Sequence, residues 1–145
     1  MLRTLFALFL LAAPAHAQSE FPNILGTWEI ASGSVMTHDG KVLSLTEMPA
    51  GDIVITTQQG PVFRGAYRWH HPEGTELSDG ETTTHRAEET FVGTFSGDRT
   101  TFTMADTPDR GYWFGRLTED GTIELQYIES GPNAAAGYSV MRRVE

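Results

Sequence analysis

One pattern recurs four times in this chain and limits what it can fold into: an apolar residue, a spacer, a glycine, a second spacer and another apolar residue. It appears as Ile24-x-Gly26-x-Trp28, Phe63-x-Gly65-x-Tyr67, Phe91-x-Gly93-x-Phe95 and Trp113-x-Gly115-x-Leu117. Each copy lies in a segment that alternates its residues with a period of two, which puts one set of side chains on each face of a strand. Glycine weakens a strand interior, so its repeated use in one local setting needs a reason. Two are available: sharp curvature as a sheet closes, or room for a neighbouring aromatic ring against the backbone. Both favour a small barrel; scattered glycines in an open sandwich are the alternative.

The remaining segments fit the same plan. Val35 to Thr37 and Lys41 to Leu45 flank His38-Asp39-Gly40, a hairpin signal that reads as a minor hairpin or an ordered flap. Ser32-Gly33-Ser34 separates this hairpin from the first strand. Further strands are expected at Asp52 to Thr57, Val62 to Trp69, Glu88 to Phe95, Thr100 to Ala105, Gly111 to Leu117, Thr122 to Ile128 and Gly137 to about Val144. Evenly spaced strands with tight turns, and no convincing helix, predict an all-β antiparallel up-and-down β-barrel of about eight strands. Such a barrel has no free edge, and its interior is filled by side chains or holds one small ligand.

Residues 1–17 carry Arg3, an apolar run from Leu5 to Ala13, and Ala15-His16-Ala17. This arrangement reads as a secretory signal peptide, so the protein is expected to be exported to the periplasm or beyond the cell. The run is shorter than the roughly 20 apolar residues of a membrane span, and an integral membrane protein is not expected. Removing 17 of the 145 residues leaves 128, read as one domain over residues 18–145. The formal charge of −9 comes with no basic cluster, which argues against nucleic acid as a partner. Cysteine is absent, so there are no disulfides, thiolate metal sites or thiol nucleophiles. No cofactor is expected.

Gly26-Thr27-Trp28, near the expected mature N-terminus, resembles the first-strand Gly-x-Trp of lipocalins in the calycin group, which also includes the avidins. In lipocalins a basic residue near the last strand packs across that indole and closes the barrel floor. The resemblance therefore implies a calycin-like barrel in which Arg142 or Arg143 covers Trp28, with Gly26 part of the same closure. It also implies a habit of binding small molecules. The chain is most similar to the short lipocalin-like proteins that bacteria export, although the lipocalin disulfide and C-terminal helix are missing.

Small-molecule pockets are mostly apolar with few polar anchors, and Trp28, Phe63, Tyr67, Phe91, Phe95 and Tyr127 are the candidate lining. Plain core packing is the competing role for each. His70, His71 and His85, with Glu73, Glu76 and Asp79, have the donor types of a borderline-metal site, yet adjacent histidines on a strand face opposite ways. A solvated loop is the reading preferred there, and no metal site is assigned. Glu88 and Glu89 are expected to be exposed. No hydrolase motif occurs, and the chain is not read as an enzyme. Tyr112 and Phe114 make their strand aromatic on both faces, which suggests a homodimer or protein interface, or cover by the Ser32 to Ala50 flap. The favoured reading is an exported protein that binds an apolar or amphipathic small molecule. The alternative is a filled barrel that works through its outer face or the 70–85 loop.

Overall fold

The glycine-bearing segments all become strands of one antiparallel sheet that closes on itself. The computed structural model describes residues 20–45, 51–70, 75–76, 82–83, 86–107, 111–132 and 134–144. The strands are β1 (Gly26–Thr37), β2 (Val42–Ser44), β3 (Gly51–Gln59), β4 (Val62–His70), β5 (Thr75–Glu76), β6 (Thr82–Thr83), β7 (Arg86–Phe95), β8 (Thr101–Thr107), β9 (Gly111–Leu117), β10 (Ile123–Glu129) and β11 (Ala135–Arg143). Around the barrel the order is β1-β3-β4-β7-β8-β9-β10-β11, and β11 pairs back onto β1 from Trp28↔Arg143 to Thr37↔Ala135. This is an up-and-down barrel of eight strands. No helix occurs among the described residues.

Two local expectations change. Ser32-Gly33-Ser34 does not interrupt the first strand; β1 runs through it, and a bulge between Ile30 and Ser32 absorbs the register shift. The physical reason is the unbroken partner strand, since Val140, Ser139 and Tyr138 of β11 lie opposite these three residues. The His38 hairpin is therefore the tip of the first barrel hairpin. Its return strand β2 lies on the flank of β1 that β3 occupies further down. Within the stretch expected to be a loop, β5 and β6 form a short ladder, Thr75↔Thr83 and Glu76↔Thr82. His71, Glu73, Asp79, His85 and the expected signal peptide lie outside the described residues.

Three of the four repeated glycines have the same physical cause. A Cβ on Gly65 would meet the Phe91 ring, one on Gly93 the Phe63 ring, and one on Gly115 the Phe102 ring. Each ring lies flat enough on a neighbouring backbone that only hydrogen fits beneath it. Gly26 differs: the space around it is open, and its φ of 122° is what excludes other residues. The rings then pack on one another, with Phe63 and Phe102 edge-to-face at 5.5 Å and Phe95 and Phe102 likewise at 5.5 Å.

The N-terminal lead seals one end of the barrel. Ile24 is fully buried, and the Phe21 ring lies 5.8 Å from Phe95. Trp28 Nε1 donates to the Ile24 carbonyl at 2.9 Å, Gln58 Nε2 to the Pro22 carbonyl at 2.8 Å, and Arg143 Nη2 to the Asn23 carbonyl at 2.6 Å. The Arg143 guanidinium lies 4.7 Å from the centre of the Trp28 ring. That stacking is worth about 0.5 to 2 kcal/mol and covers the indole. Arg142, opposite Glu29, is exposed on the outer face. The turn 38–41 and the strand ends Gly51, Trp69, Thr107, Gly111, Glu129 and Ala135 mark the opposite, open end.

Candidate binding site at the open end of the barrel

Moving up the inward face, the lining changes character half-way. Next to the sealed end it is entirely apolar: Trp28, Ile53, Ile55, Phe102, Met104, Ile123, Leu125 and Met141 enclose a residual void of about 10 Å³. That is at most the volume one water molecule needs. Of the six predicted lining residues, Trp28, Phe63, Phe91 and Phe95 belong to this packed half, each at most 5% exposed. Tyr67 and Tyr127 do not; they lie higher and are partly exposed.

Around those two tyrosines a second cluster forms. Trp113 sits between them, its ring 4.4 Å from Tyr127 and 5.3 Å from Tyr67. The inward alternation of β8 runs Phe102, Met104, Asp106, and that of β10 runs Ile123, Leu125, Tyr127, Glu129. Each strand therefore ends its buried face on a carboxylate. On β7 the residue at the same inward register is Glu89, opposite Tyr67. Glu89 is half-buried, contrary to the expectation of exposure; its neighbour Glu88 points outward and pairs with Arg68 at 3.0 Å.

Hydrogen bonds fix the arrangement. Asp106 accepts from the Gly111 N–H at 2.8 Å and from Trp113 Nε1 at 3.3 Å. A Cβ at Gly111 would fall on the Asp106 carboxylate and the Tyr127 ring, so glycine here leaves both side chains in place. Tyr127 donates its hydroxyl to Glu129 at 3.1 Å. Burial, reinforced by the negative charges of Glu129, Asp106 and Glu89, holds the Tyr127 phenol well above its ordinary pKa. Burial also pushes Tyr67 up to about 12, helped by the charges of Glu89 and Asp52. Both phenols therefore keep their protons well above neutral pH, and that of Tyr127 is donated to Glu129.

The composition of the cluster was only partly anticipated. Trp113 was recognised in the glycine repeat but not as lining. Asp106, Glu129 and Glu89 were missed, although inward parity continued from Phe102, Ile123 and Phe91 places all three. Among the described residues, no group of three or more His, Asp or Glu side chains is arranged to hold a metal ion.

On the outer face, Tyr112 is 57% and Phe114 47% exposed. The described part of the 32–50 flap does not cover them: β2 lies against β1, which is three strands away around the barrel. Tyr112, Val62, Arg64, Val92 and Ala105 line a shallow outer groove of about 580 Å³.

No protein-family model matches the chain, and no curated protein matches it. Among solved structures it is similar to a de novo designed fluorescence-activating β-barrel, at 18% identity, covering 83% of this chain and 93% of the other with a TM-score of 0.45. It is also similar to a redesigned β-barrel, at 15% identity, covering 83% and 91% with a TM-score of 0.46.

Proposed function

We propose that this is an exported small-molecule-binding protein that takes an amphipathic ligand at the open end of the barrel. The carrying observation is the change of lining: a close-packed apolar plug beneath, and above it the half-buried rings of Tyr67 and Tyr127 packed on the buried Trp113 and edged by polar groups. An apolar body rests on the rings and a polar head meets the edge. The packed half below serves as a rigid base and leaves no space for a ligand. Native mass spectrometry of protein taken from the exported fraction without refolding tests this. The expected result is a small extra mass that is lost on denaturation and is diminished in Tyr127→Ala. A bare mass, together with tryptophan fluorescence unmoved by lipophilic probes, would end the reading.

A second reading, an outer-face interface, is favoured by the exposure of Tyr112 and Phe114 beside the groove lined by Val62 and Val92. Exposed apolar clusters of this kind mark contact surfaces. It predicts a dimer mass by light scattering that reverts to monomer in Phe114→Glu; monomer mass in both proteins removes it.

A further inference from the structure

On the outer face, Arg64 stands apart from the arginines around it. Arg68 pairs with Glu88, Arg99 with Glu20 and Arg116 with Glu124, while Arg143 is engaged at the sealed end. Arg64 donates its Nε–H to the Thr57 hydroxyl at 3.4 Å, and among the described residues no carboxylate pairs with it. The chain has 19 Asp and Glu against 10 Lys and Arg, so a strand guanidinium without an acidic neighbour needs a structural cause.

That cause is the register. Cross-strand pairing sets Thr57, Arg64, Val92, Ala105, Tyr112 and Ile128 in one row from β3 to β10. The buried residues that alternate with them put this row on the outer face. It is polar at one end, with a hydroxyl and a guanidinium, and apolar from Val92 onward. Val92, at 64%, is the most exposed large apolar side chain among the described residues. The next row runs from Gln59 through Val62, Thr94 and Thr103 to Phe114 and is uncharged. Between the two rows lies the groove of about 580 Å³, kept open by the small side chains of Ala105 and Thr103. Its volume falls in the range of small-molecule sites.

We propose that this groove binds a free single-chain amphiphile with a carboxylate head, of the fatty-acid type, its head on Arg64 and its chain along Val92, Ala105 and Tyr112. The match is one of charge and of length. The terminal N–H groups of a guanidinium form a fork that fits a carboxylate with two parallel hydrogen bonds. From Arg64 to Tyr112 is three strand spacings, about 14 Å, which an extended chain of about ten to twelve carbons covers. The groove lies on the opposite face of the sheet from the open-end cluster, so its occupant is independent of the ligand proposed there. It does compete with the outer-face interface, because a second copy docked on Tyr112 and Val92 would fill the same space.

Dodecanoate, dodecanol and dodecyltrimethylammonium, each below its micelle concentration, test this by calorimetry and NMR shift mapping on the exported protein. Salt at about 0.15 M screens beyond about 8 Å and suppresses repulsion from the rest of the acidic surface. The expected result is dodecanoate binding at least about tenfold tighter than dodecanol, with the ammonium weakest and the largest shifts at Val62, Val92 and Ala105. Arg64→Gln should weaken dodecanoate by about fivefold or more and leave dodecanol unchanged, and Arg64→Lys should restore only part of the loss. Val92→Glu should abolish dodecanoate binding. Arg142→Gln, which removes the same charge from another part of the outer face, should change nothing.

Dodecanol binding as tightly as dodecanoate, or equal losses in Arg64→Gln and Arg142→Gln, overturns the proposal. Dodecanoate shifts confined to Trp113 and Tyr127, with binding lost in Tyr127→Ala, would also overturn it and leave the open-end reading standing. Failure of all three probes to bind overturns it as well, and a dimer mass lost in Phe114→Glu would then assign the face to a second copy.

Discussion

The two ends of this barrel are built from the same eight strands and solve different problems. Towards the sealed end the inward face is packed with apolar side chains, the rings lie on glycine backbones, and the lead segment closes the opening with hydrogen bonds to its backbone from Trp28, Gln58 and Arg143. The turns there are short and locally satisfied; Asp98, for example, accepts from the Thr101 and Thr100 N–H groups at 2.9 and 3.0 Å, which holds its carboxyl below the usual range. At the open end the same strands carry carboxylates and phenols at inward positions. Close apolar packing is concentrated at one end and polar inward groups at the other.

The sharpest way to break this comparison is to remove from each end the group that characterises it, a packed ring from one and a hydrogen-bonded hydroxyl from the other. Phe102 is 2% exposed, contacts Phe63 and Phe95 edge-to-face, and fills the space that Gly115 leaves. Phe102→Ala should cost about 3 to 5 kcal/mol in urea unfolding, through lost burial and an unfilled cavity. Tyr127→Phe, which removes one hydrogen bond from a half-exposed ring, should cost only about 1 kcal/mol. Comparable losses in the two proteins would mean that the open end is as much a part of the core as the sealed end.

How much of this was legible in the sequence follows the same division. The alternating segments and the glycine repeat led to the barrel, because period-two patterning and ring-sized gaps are local signals that survive without coordinates. The Trp28 end was legible for a related reason: Gly26-Thr27-Trp28 and the paired Arg142-Arg143 lie at the two chain ends, and closure pairs β1 with β11. Deciding between the arginines required the register, which puts Arg143 opposite Trp28. The open end was harder to read. Asp106, Glu129 and Glu89 are ordinary acidic residues near strand ends, and only the continuation of parity from Phe102, Ile123 and Phe91 places them inside. Their meeting depends on three separate β-registers that no local pattern encodes. The break expected at Ser32-Gly33-Ser34 failed for a similar reason: local turn chemistry gave way to the continuous pairing of β1 with β11.

The second difference between the ends is electrostatic, and pH separates it from packing. The folded protein holds the Tyr67 phenol at a pKa of about 12, against 10.0 when unperturbed, because burial and the nearby carboxylates disfavour its anion. Below about pH 10 the phenol is protonated in both the folded and unfolded chains, and its contribution to stability is fully present. Between about pH 10 and 12 the unfolded chain loses the proton first, so stability falls as the pH rises toward the folded pKa. The loss should be on the order of 2 kcal/mol for this group, and Tyr127, shifted in the same direction, adds to it. Urea unfolding across this range should therefore show a decline that is shallower in Tyr67→Phe, while Phe102→Ala lowers the whole curve without altering its slope. Identical slopes in wild type and Tyr67→Phe would show that the phenol is not held neutral by the open end, and the electrostatic half of the comparison would fall.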